Sequence, residues 1–559
     1  MSLAGMASNL SSANASEKGY YASKGLSEFV STLLESWHVP GISIAVVDGD
    51  DFLTEALIHD AMTQGHGTAE LPSTPFSADT LSYAGSTTKA HVAALLALLI
   101  ASNRYKDDRD QPLSWKTPIC SLIRADFVLQ DEWATNHITL EDALCHRTGL
   151  AKHDNAYPRY IRPEGFGGPQ RLITLQEMVR NLRYLPMASE PRTEHRYSNL
   201  IFATLSHVIE TVTGQWLGNA LRVWLWEPLG MKDTHLSLDQ ALAAGPHVAQ
   251  GYFWDKDQHQ YKPLDRMPTE EVSGSGAVIM SAADMVKWLR FWLREQRPLS
   301  PEAHRNLRHP RIPVGAEDPA PFDTPIMYAQ AWQTSSYRGH RFWRHHGAMD
   351  AFGALVTFFP DLNFGVSIMG NTAFTTNVVA EIVTWHLVDN KLGVASGERH
   401  NWTQRWKNTV EQMEQNVHNG LEKIYPNRPE KPIQASLPLS KYAGLYYHSG
   451  YKYLKVVTND GANGKLLNAR PESQLHAEQP DNNFRIKCDF VHVSGEKWIM
   501  YVDLMDAPTL TKHDFAAVEF RTGLDGEIES MGIEWRARSD VDGWIWYKKI
   551  RAEDETRKA

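Results

Sequence analysis

Cysteine is scarce in this chain of 559 residues: Cys120, Cys145 and Cys488 are odd in number, far apart and include no C-x-x-C pair. A disulfide-stapled secreted scaffold fits that spacing poorly, and a reduced compartment is expected. Positive charge is also short. Lys and Arg total 56 against 66 Asp and Glu, a net charge of −10, which leaves no excess cation to neutralise phosphates, so no nucleic-acid partner is expected and anionic membranes are disfavoured. Long apolar runs are missing as well. The longest, Val92 to Ala101, is about half of the roughly 20 residues a helix needs to cross a bilayer, and no membrane association is expected. The first twenty residues carry no basic start followed by an apolar stretch, so no secretory signal is predicted and the expected location is cytoplasmic. The chain also has no G-x-S-x-G, H-E-x-x-H, Walker loop or dinucleotide fingerprint. Those absences remove the warrant for an α/β-hydrolase elbow, a zincin and a nucleotide enzyme, and neither a metal nor an organic cofactor is expected.

What is present is the composition of a packed globular protein, 42 % apolar and 22 % charged, at a length that predicts about two to four domains. The one compositional excess is aromatic: 18 Trp, 20 Tyr and 19 Phe, to be placed in cores or around apolar pockets. Residues 25 to 37 carry apolar positions at helical spacing, and Pro40 to Val47 reads as a buried strand running into the turn Asp48-Gly49-Asp50. Helical patterns return at 86 to 102, 174 to 183, 199 to 213 and 282 to 294, and strand-like runs at 352 to 359 and 364 to 369. This mixture predicts an α/β (α+β) architecture, a sheet packed against helices. Between 393 and 435 an amphipathic helix containing Trp402, Trp406, Val410, Met413, Val417 and Leu421 is broken by Pro426, Pro429 and Pro432. Short alternating segments follow, including Leu454/Val456, Trp498/Met500/Val502, Ala516/Val518/Phe520, Ile533/Trp535 and Trp544/Trp546, with turns such as Asn459-Asp460-Gly461. Their even spacing predicts a small antiparallel barrel with Trp in its core. The expected division is an N-terminal extension over 1–24, a catalytic domain over 25–392, a helical linker over 393–435 and the barrel over 436–559.

Gly85-Ser86-Thr87-Thr88-Lys89 opens a long apolar helix. Position i+3 returns to the same helical face, so Lys89 can reach the Ser86 hydroxyl. A serine hydroxyl is weakly nucleophilic and needs a base, and a lysine can serve where burial and a helix N-terminus lower its pKa from about 10.4. S-x-x-K recurs at Ser449/Lys452 and Ser494/Lys497, but those lie in the barrel region beside Gly450 and Gly495, where hairpin turns are the better reading. Tyr197-Ser198-Asn199 precedes a second helix. A phenol at Tyr197 can exchange protons with an activated serine, while the Asn199 amide can orient a substrate carbonyl or amide. Arg344-His345-His346-Gly347-Ala348 runs into the strand at 352 to 359, where Ala348 N–H can act as an oxyanion donor, Gly347 permits close approach and His345 faces the substrate.

S-x-x-K at a helix start, then Y-x-N, then H-x-G, in that order, resemble the three motifs of the serine β-lactamase and penicillin-binding-protein superfamily, whose variants include S-D-N and K-T-G. Flanking text is similar too, notably Val39 to Val46, Ile138 to Leu150 with its Cys145-His146-Arg147-Thr148-Gly149-Leu150 end, Pro228-Leu229-Gly230-Met231, and Ser273 to Asp284. The resemblance covers about residues 25 to 390 and is nearest to the class C-like branch. It implies a β-lactamase-like sheet flanked by helices plus a helical subdomain. It also implies Ser86 as nucleophile, Lys89 and Tyr197 as the proton-transfer pair, Asn199 as substrate ligand, and His345, Gly347 and Ala348 as the strand-side wall. The tail beginning Tyr442-Ala443-Gly444-Leu445-Tyr446 resembles a lipocalin-like domain. One departure is His345, where many true β-lactamases carry Lys, a permanent cation suited to a substrate carboxylate.

Residues 151 to 170, with Tyr157, Tyr160 and Phe166, have the composition of a lid, and Tyr157 and Tyr160 are candidate substrate contacts. Tyr252, Phe253, Trp254, Tyr328, Trp332 and Tyr337 are either pocket or core. The leading expectation is a cofactor-free serine hydrolase that forms an acyl-enzyme at Ser86 from an ester, thioester or amide of a bulky apolar small molecule. An acyltransferase using the same intermediate is the second reading, and a catalytically silent binding protein on the same fold is the third. The oligomeric state is left open by the sequence.

Overall fold

A computed structural model describes residues 24–49, 61–315, 319–458, 473–506, 514–535, 541 and 543–551. The N-terminal extension before Lys24 and the turn Asn459-Asp460-Gly461 lie outside the described residues. By contacts the chain divides into two compact units, residues 1–115 with 209–408, and residues 116–208 with 409–559.

The first unit is built on a nine-stranded sheet. From edge to edge its strands are Ile312–Pro313, Met327–Tyr328, Gln333–Tyr337, His340–Met349, Phe352–Phe359, Phe364–Gly370, Gly41–Asp48, Ala61–Glu70 and Thr74–Pro75. The strand Gly41–Asp48 pairs antiparallel with Phe364–Gly370 on one side and Ala61–Glu70 on the other. Its side chains alternate between two buried faces, so Ile42, Ile44 and Val46 enter one core while Val47 and its partner Gly365 face the other. On the first face lie the helices Lys24–Ser36 and Thr375–Lys391. Leu26, Val30, Leu33 and Leu34 form the inward stripe of the former, and Val378, Val379, Ile382, Val383 and Trp385 that of the latter. On the second face, helix Ala282–Leu293 brings Leu289 and Leu293 against Gly365, where an added Cβ would come within 3.0 Å of Leu289. A small three-stranded sheet, Ser82–Tyr83, Ile279–Met280 and Thr234–His235, completes this unit.

The second unit combines a helical segment, including Glu132–His137, Leu140–Leu144 and Leu175–Asn181, with a closed antiparallel barrel of eight strands running from Gly444–His448 to Ile545–Ile550. The expected mixed α/β sheet and C-terminal barrel are both present. Closure removes exposed sheet edges, and an eight-stranded barrel is narrow enough for side chains to fill. Phe490, Trp498, Met500, Phe520, Met531 and Tyr547 fill it and are buried. On its outside, Val417, Leu421, Ile424 and Tyr425 of the helical stretch cover Val491, Val493, Ile499 and Tyr501. The expectation that the tryptophans form the barrel core needs correction. Trp498 and Trp535 are buried, but Trp544 and Trp546 are only half-buried, with Lys497 over the first ring and Arg521 over the second. Cation–π contact makes the outer face tolerable for these rings, so Ile545 and Tyr547 take the inward positions.

All three cysteines are buried, and none forms a disulfide. Among the described residues, no helix is long and apolar enough to cross a membrane. Trp332 packs edge-on against Trp292 and Phe358, and Tyr337 donates to Asp389 at 2.8 Å, so both belong to the core.

The strand His340–Met349 is tied to the helix behind it by a buried ion pair. Glu381 accepts from Arg344 Nη1 at 2.9 Å, from His346 Nε2 at 2.7 Å and from the Trp385 indole. Burial alone would raise the Glu381 pKa, but Arg344, His346 and Trp385 outweigh it and hold the carboxyl at about 2. Its stabilising contribution is therefore complete above the ordinary value of 4.5 and is lost as pH falls toward 2. Glu381→Gln leaves Arg344 without its anion and is expected to cost about 3–5 kcal/mol in urea unfolding at pH 7, with the difference from the parent shrinking as the pH is lowered below 4.5.

Candidate active site

The candidate nucleophile sits where a strand passes directly into a helix. Ala84 N–H donates to Val278 O at 2.8 Å, and Gly85, at φ +52°, turns the chain into the 3-10 turn Gly85–Thr87, which continues as helix Thr88–Ala101. That backbone conformation is open to glycine without strain. The two threonines then lock the turn. Thr87 Oγ1 donates to Ala84 O at 3.0 Å, and Thr88 Oγ1 donates to Gly85 O at 2.7 Å while accepting from Val278 N at 3.0 Å. Apart from Thr88, Lys89, His91 and its ends, the helix carries only apolar side chains on every face, and it is buried from Thr88 to Leu99. Between residues 81 and 99, Ser86 alone is not buried.

Lys89 is fully buried one turn on, and its Nζ donates to Ser86 Oγ at 3.0 Å and to Ser275 O at 2.6 Å. The carbonyl comes from the 3-10 turn Ser273–Ser275, so two separate segments aim the Lys89 amino group at the serine. The other two S-x-x-K matches behave differently. Lys452 Nζ reaches the backbone O of Ser449 at 2.6 Å and Asn181 Oδ1 at 2.7 Å, and its burial brings its pKa down to about 8. Lys497 pairs with Glu519. Neither lysine meets its serine hydroxyl in these bonds.

His345, Gly347 and Ala348 lie on the strand His340–Met349. Its pairing with Gln333–Tyr337 ends at Arg344, and Ala84–Ser86 comes up against the stretch beyond. There is no room to spare: a Cβ on Gly347 would lie 2.0 Å from Ala84 O, and one on Gly85 would lie 2.5 Å from Ala348 N. Asn377 Nδ2 clamps the same stretch by donating to Gly347 O and Ala354 O, each at 2.9 Å. His345 is buried. Its Nε2 lies 2.9 Å from Tyr328 OH and its Nδ1 lies 2.6 Å from His346 O, so both ring nitrogens are engaged. Because the carbonyl can only accept, Nδ1 carries a proton, and in the neutral ring Nε2 receives the Tyr328 hydroxyl.

The remaining candidates belong to the second unit. There Asp142, fully buried, closes a capping box with Thr139 and receives Arg147 Nε and Arg192 Nη2, each at 2.8 Å. Burial would raise its carboxyl, but Arg192, Thr139 and Arg147 hold it below the usual carboxylate range. Around this centre the backbone of 188–198 is laced to that of 146–149: Arg192 N to Arg147 O at 2.7 Å, Arg196 N to His146 O at 2.7 Å and Ser198 N to His146 Nδ1 at 3.1 Å. The Tyr197 ring rests on His146 with centroids 4.2 Å apart. Asn199 begins helix Asn199–Thr213, and its Nδ2 donates to Asp154 Oδ1 at 3.0 Å. Asp154 also pairs with Lys152 at 2.9 Å. Tyr157 is buried and its carbonyl accepts from Asn483 N at 2.9 Å, while the half-buried Tyr160 pairs with Leu172 and donates its N–H to Asp481 O at 2.9 Å.

Sequence reasoning did not single out Gly85, Ser275, Tyr328 as a partner of His345, or Asp154. For Gly85 a signal existed, a glycine directly before the serine of a strand-to-helix turn. For Asp154 none did. Among the described residues, no group of His, Cys, Asp and Glu could hold a metal ion.

Residues 26–388 match the Beta-lactamase family model, and residues 428–549 match a domain of unknown function, DUF3471. The chain therefore belongs to the β-lactamase family and is a serine hydrolase of that fold. Its curated relatives include the unguisins hydrolase ungD' of Aspergillus campestris (strain IBT 28561), 37 % identical over 526 residues that make up 93 % of this chain and 91 % of the relative. The unguisins hydrolase ungD of Aspergillus violaceofuscus (strain CBS 115571) is 35 % identical over 547 residues, 94 % of this chain and 90 % of the relative. Among solved structures, the octameric penicillin-binding protein homologue from Pyrococcus abyssi superposes with a TM-score of 0.56 at 17 % identity, covering 94 % of this chain and 99 % of that one. The D-amino acid amidase from Ochrobactrum anthropi SV3 complexed with L-phenylalanine amide gives a TM-score of 0.51 at 19 % identity over 66 % of this chain and 97 % of that one, and these two likenesses concern the fold.

Because a methyl group at residue 347 collides with a backbone carbonyl, Gly347→Ala must push the strand away from Ala84–Ser86. Overpacking of this kind is expected to cost about 1–3 kcal/mol in urea unfolding and to lower hydrolysis more steeply than stability.

Proposed function

We propose that the chain hydrolyses a bulky apolar small molecule at an ester, thioester or amide bond through an acyl-enzyme on Ser86, with an unguisin as the first substrate to test. The hydrogen bond from Lys89 to Ser86 Oγ, made by a fully buried amine inside an apolar helix, carries this reading. The neutral amine is the form that can accept a proton. Two relatives that align along nearly the whole chain are named as unguisins hydrolases, which supports hydrolysis and suggests the substrate.

In the proposed reaction the Ser86 hydroxyl attacks the substrate carbonyl carbon and passes its proton to Lys89. The backbone N–H groups of Ser86 and Ala348 bind the resulting oxyanion. Lys89 and Tyr197 return the proton to the departing nitrogen, oxygen or sulfur as its bond to the carbonyl breaks, and Asn199 holds the substrate's amide or carbonyl. Water then adds to the ester on Ser86 and gives its proton to the same pair, which passes it to Ser86 Oγ as the bond from Oγ to the acyl carbon breaks and the acid is released. His345, held by Tyr328 and His346 O, forms the strand-side wall without a permanent cation.

Ser86→Ala is expected to abolish turnover of an unguisin and the mass increase of an acyl adduct in intact-protein spectrometry, with unfolding unchanged. Lys89→Met should lower kcat by about 10²–10⁴. Full activity in the Ser86→Ala variant would end the proposal. Product analysis with alcohols and amines present would show free acid alone, whereas a transferred acyl group would make the chain an acyltransferase.

A further inference from the structure

We infer that the C-terminal barrel positions the substrate-binding amide of Asn199, through Tyr451 and Asn482 acting on Asp154. The inference rests on the reading of Asn199 as a substrate ligand and gives the barrel a part in the reaction.

An Asn side chain can rotate by half a turn and exchange its donor and acceptor edges, and only its partners decide which edge faces a ligand. A carboxylate oxygen can only accept, so Asp154 Oδ1, 3.0 Å from Asn199 Nδ2, fixes the NH₂ edge toward itself and directs the carbonyl edge away. Lys152, 2.9 Å from Asp154 Oδ2, occupies the other carboxylate oxygen. Asp154 is therefore an orienting group rather than a reacting one, and its own placement decides how well it orients.

That placement comes from the barrel on both sides of residue 154. His153 precedes it in the left-handed region at φ +49°, a conformation that non-glycine residues hold only when their surroundings enforce it. The enforcement is visible in the imidazole. Nε2 lies 2.9 Å from Pro186 O, which can only accept, so Nε2 carries the proton and in the neutral ring Nδ1 accepts from Tyr451 OH at 2.8 Å. Asn155 follows, and its carbonyl accepts from Asn482 Nδ2 at 2.6 Å. Further along, Asn483 N donates to Tyr157 O at 2.9 Å, and Arg162 forms a two-pronged pair with the Asp481 carboxylate at 2.6 and 3.1 Å. Asp481, Asn482 and Asn483 all lie in the connection between the strands Leu475–Gln479 and Ile486–Ser494 of the barrel. The 3-10 turn Asp154–Ala156 is thus pinned at the residue before Asp154 and at the residue after it by two barrel side chains.

Such a chain of contacts has a thermodynamic signature. If Tyr451, Asn482 and Asp154 act through Asn199, removing any of them matters only while Asn199 is present. The experiment uses the full-length chain and measures kcat and KM for an unguisin and for p-nitrophenyl butyrate. Asp154→Ala is expected to lower kcat/KM about tenfold or more, and Tyr451→Phe and Asn482→Ala by about three- to tenfold, the scale of one lost hydrogen bond to a polar partner. Asp154→Asn keeps an acceptor oxygen and should recover most of the loss. In an Asn199→Ala background each of the three changes should fall below about twofold. Hydrogen–deuterium exchange of the peptide spanning 150–160 should rise in Tyr451→Phe, a reading that needs no turnover. Undiminished effects in the Asn199→Ala background, or unchanged exchange in Tyr451→Phe, would overturn the inference. Retained turnover in Ser86→Ala would instead overturn the acyl-enzyme reading, so the two failures are distinguishable.

Discussion

The fit between Ala84–Ser86 and the strand His340–Met349 is the constraint on which the rest of the candidate site depends. Two glycines meet across it, Gly85 and Gly347, and neither tolerates a side chain. The close approach aligns the start of an apolar helix with the strand that carries Ala348 and His345. Everything around it resists relaxation: the two threonine hydroxyls of the turn, the Asn377 amide on the strand, and the buried Arg344–Glu381 pair behind it. In the proposed reaction such stiffness keeps the Ser86 and Ala348 N–H groups in place, so no reorganisation is needed as negative charge develops.

The second unit reaches a similar end by different means. Buried charge takes the place of close-packed glycine there. Asp142 collects two arginines and a helix cap, and the loop leading to Tyr197-Ser198-Asn199 is wound around that centre. Replacing such a centre with apolar groups is often harmless to stability in general, but a carboxylate facing two arginines specifies one loop path over its neighbours. His146 contributes in the same way, through an acceptor nitrogen under Ser198 N–H and a ring under Tyr197.

Much of this was legible from local pattern. The pairing of Ser86 with Lys89 follows from helical periodicity, the strands Gly41–Asp48 and Phe352–Phe359 from uninterrupted apolar runs, and the barrel from evenly spaced turns. The hairpin reading of Ser449 and Lys452 also follows, since the glycine beside them marks a turn. What stayed hidden was long-range. His153 and Tyr451 are 298 positions apart, and Asn155 and Asn482 are 327 apart, so no window along the chain contains both partners. Trp544 and Trp546 misled for another reason. Period-two alternation locates two faces of a strand without saying which is inside, and large rings suggested the interior until Lys497 and Arg521 were found above them.

The sheet order carries a consequence for how the molecule is made. Gly41–Asp48 is an interior strand, and one of its two neighbours is Phe364–Gly370, so more than half of the chain must be synthesised before that edge is covered. Asp154 waits longer still, because its flanking anchors belong to residues 451 and 482. Pairings so distant in sequence are slow to form and leave apolar surface open meanwhile. A chain emerging from the ribosome thus has the whole Ser86–Lys89 helix in hand early, from local sequence alone, whereas the two anchors beside Asp154 follow only with residues 451 and 482.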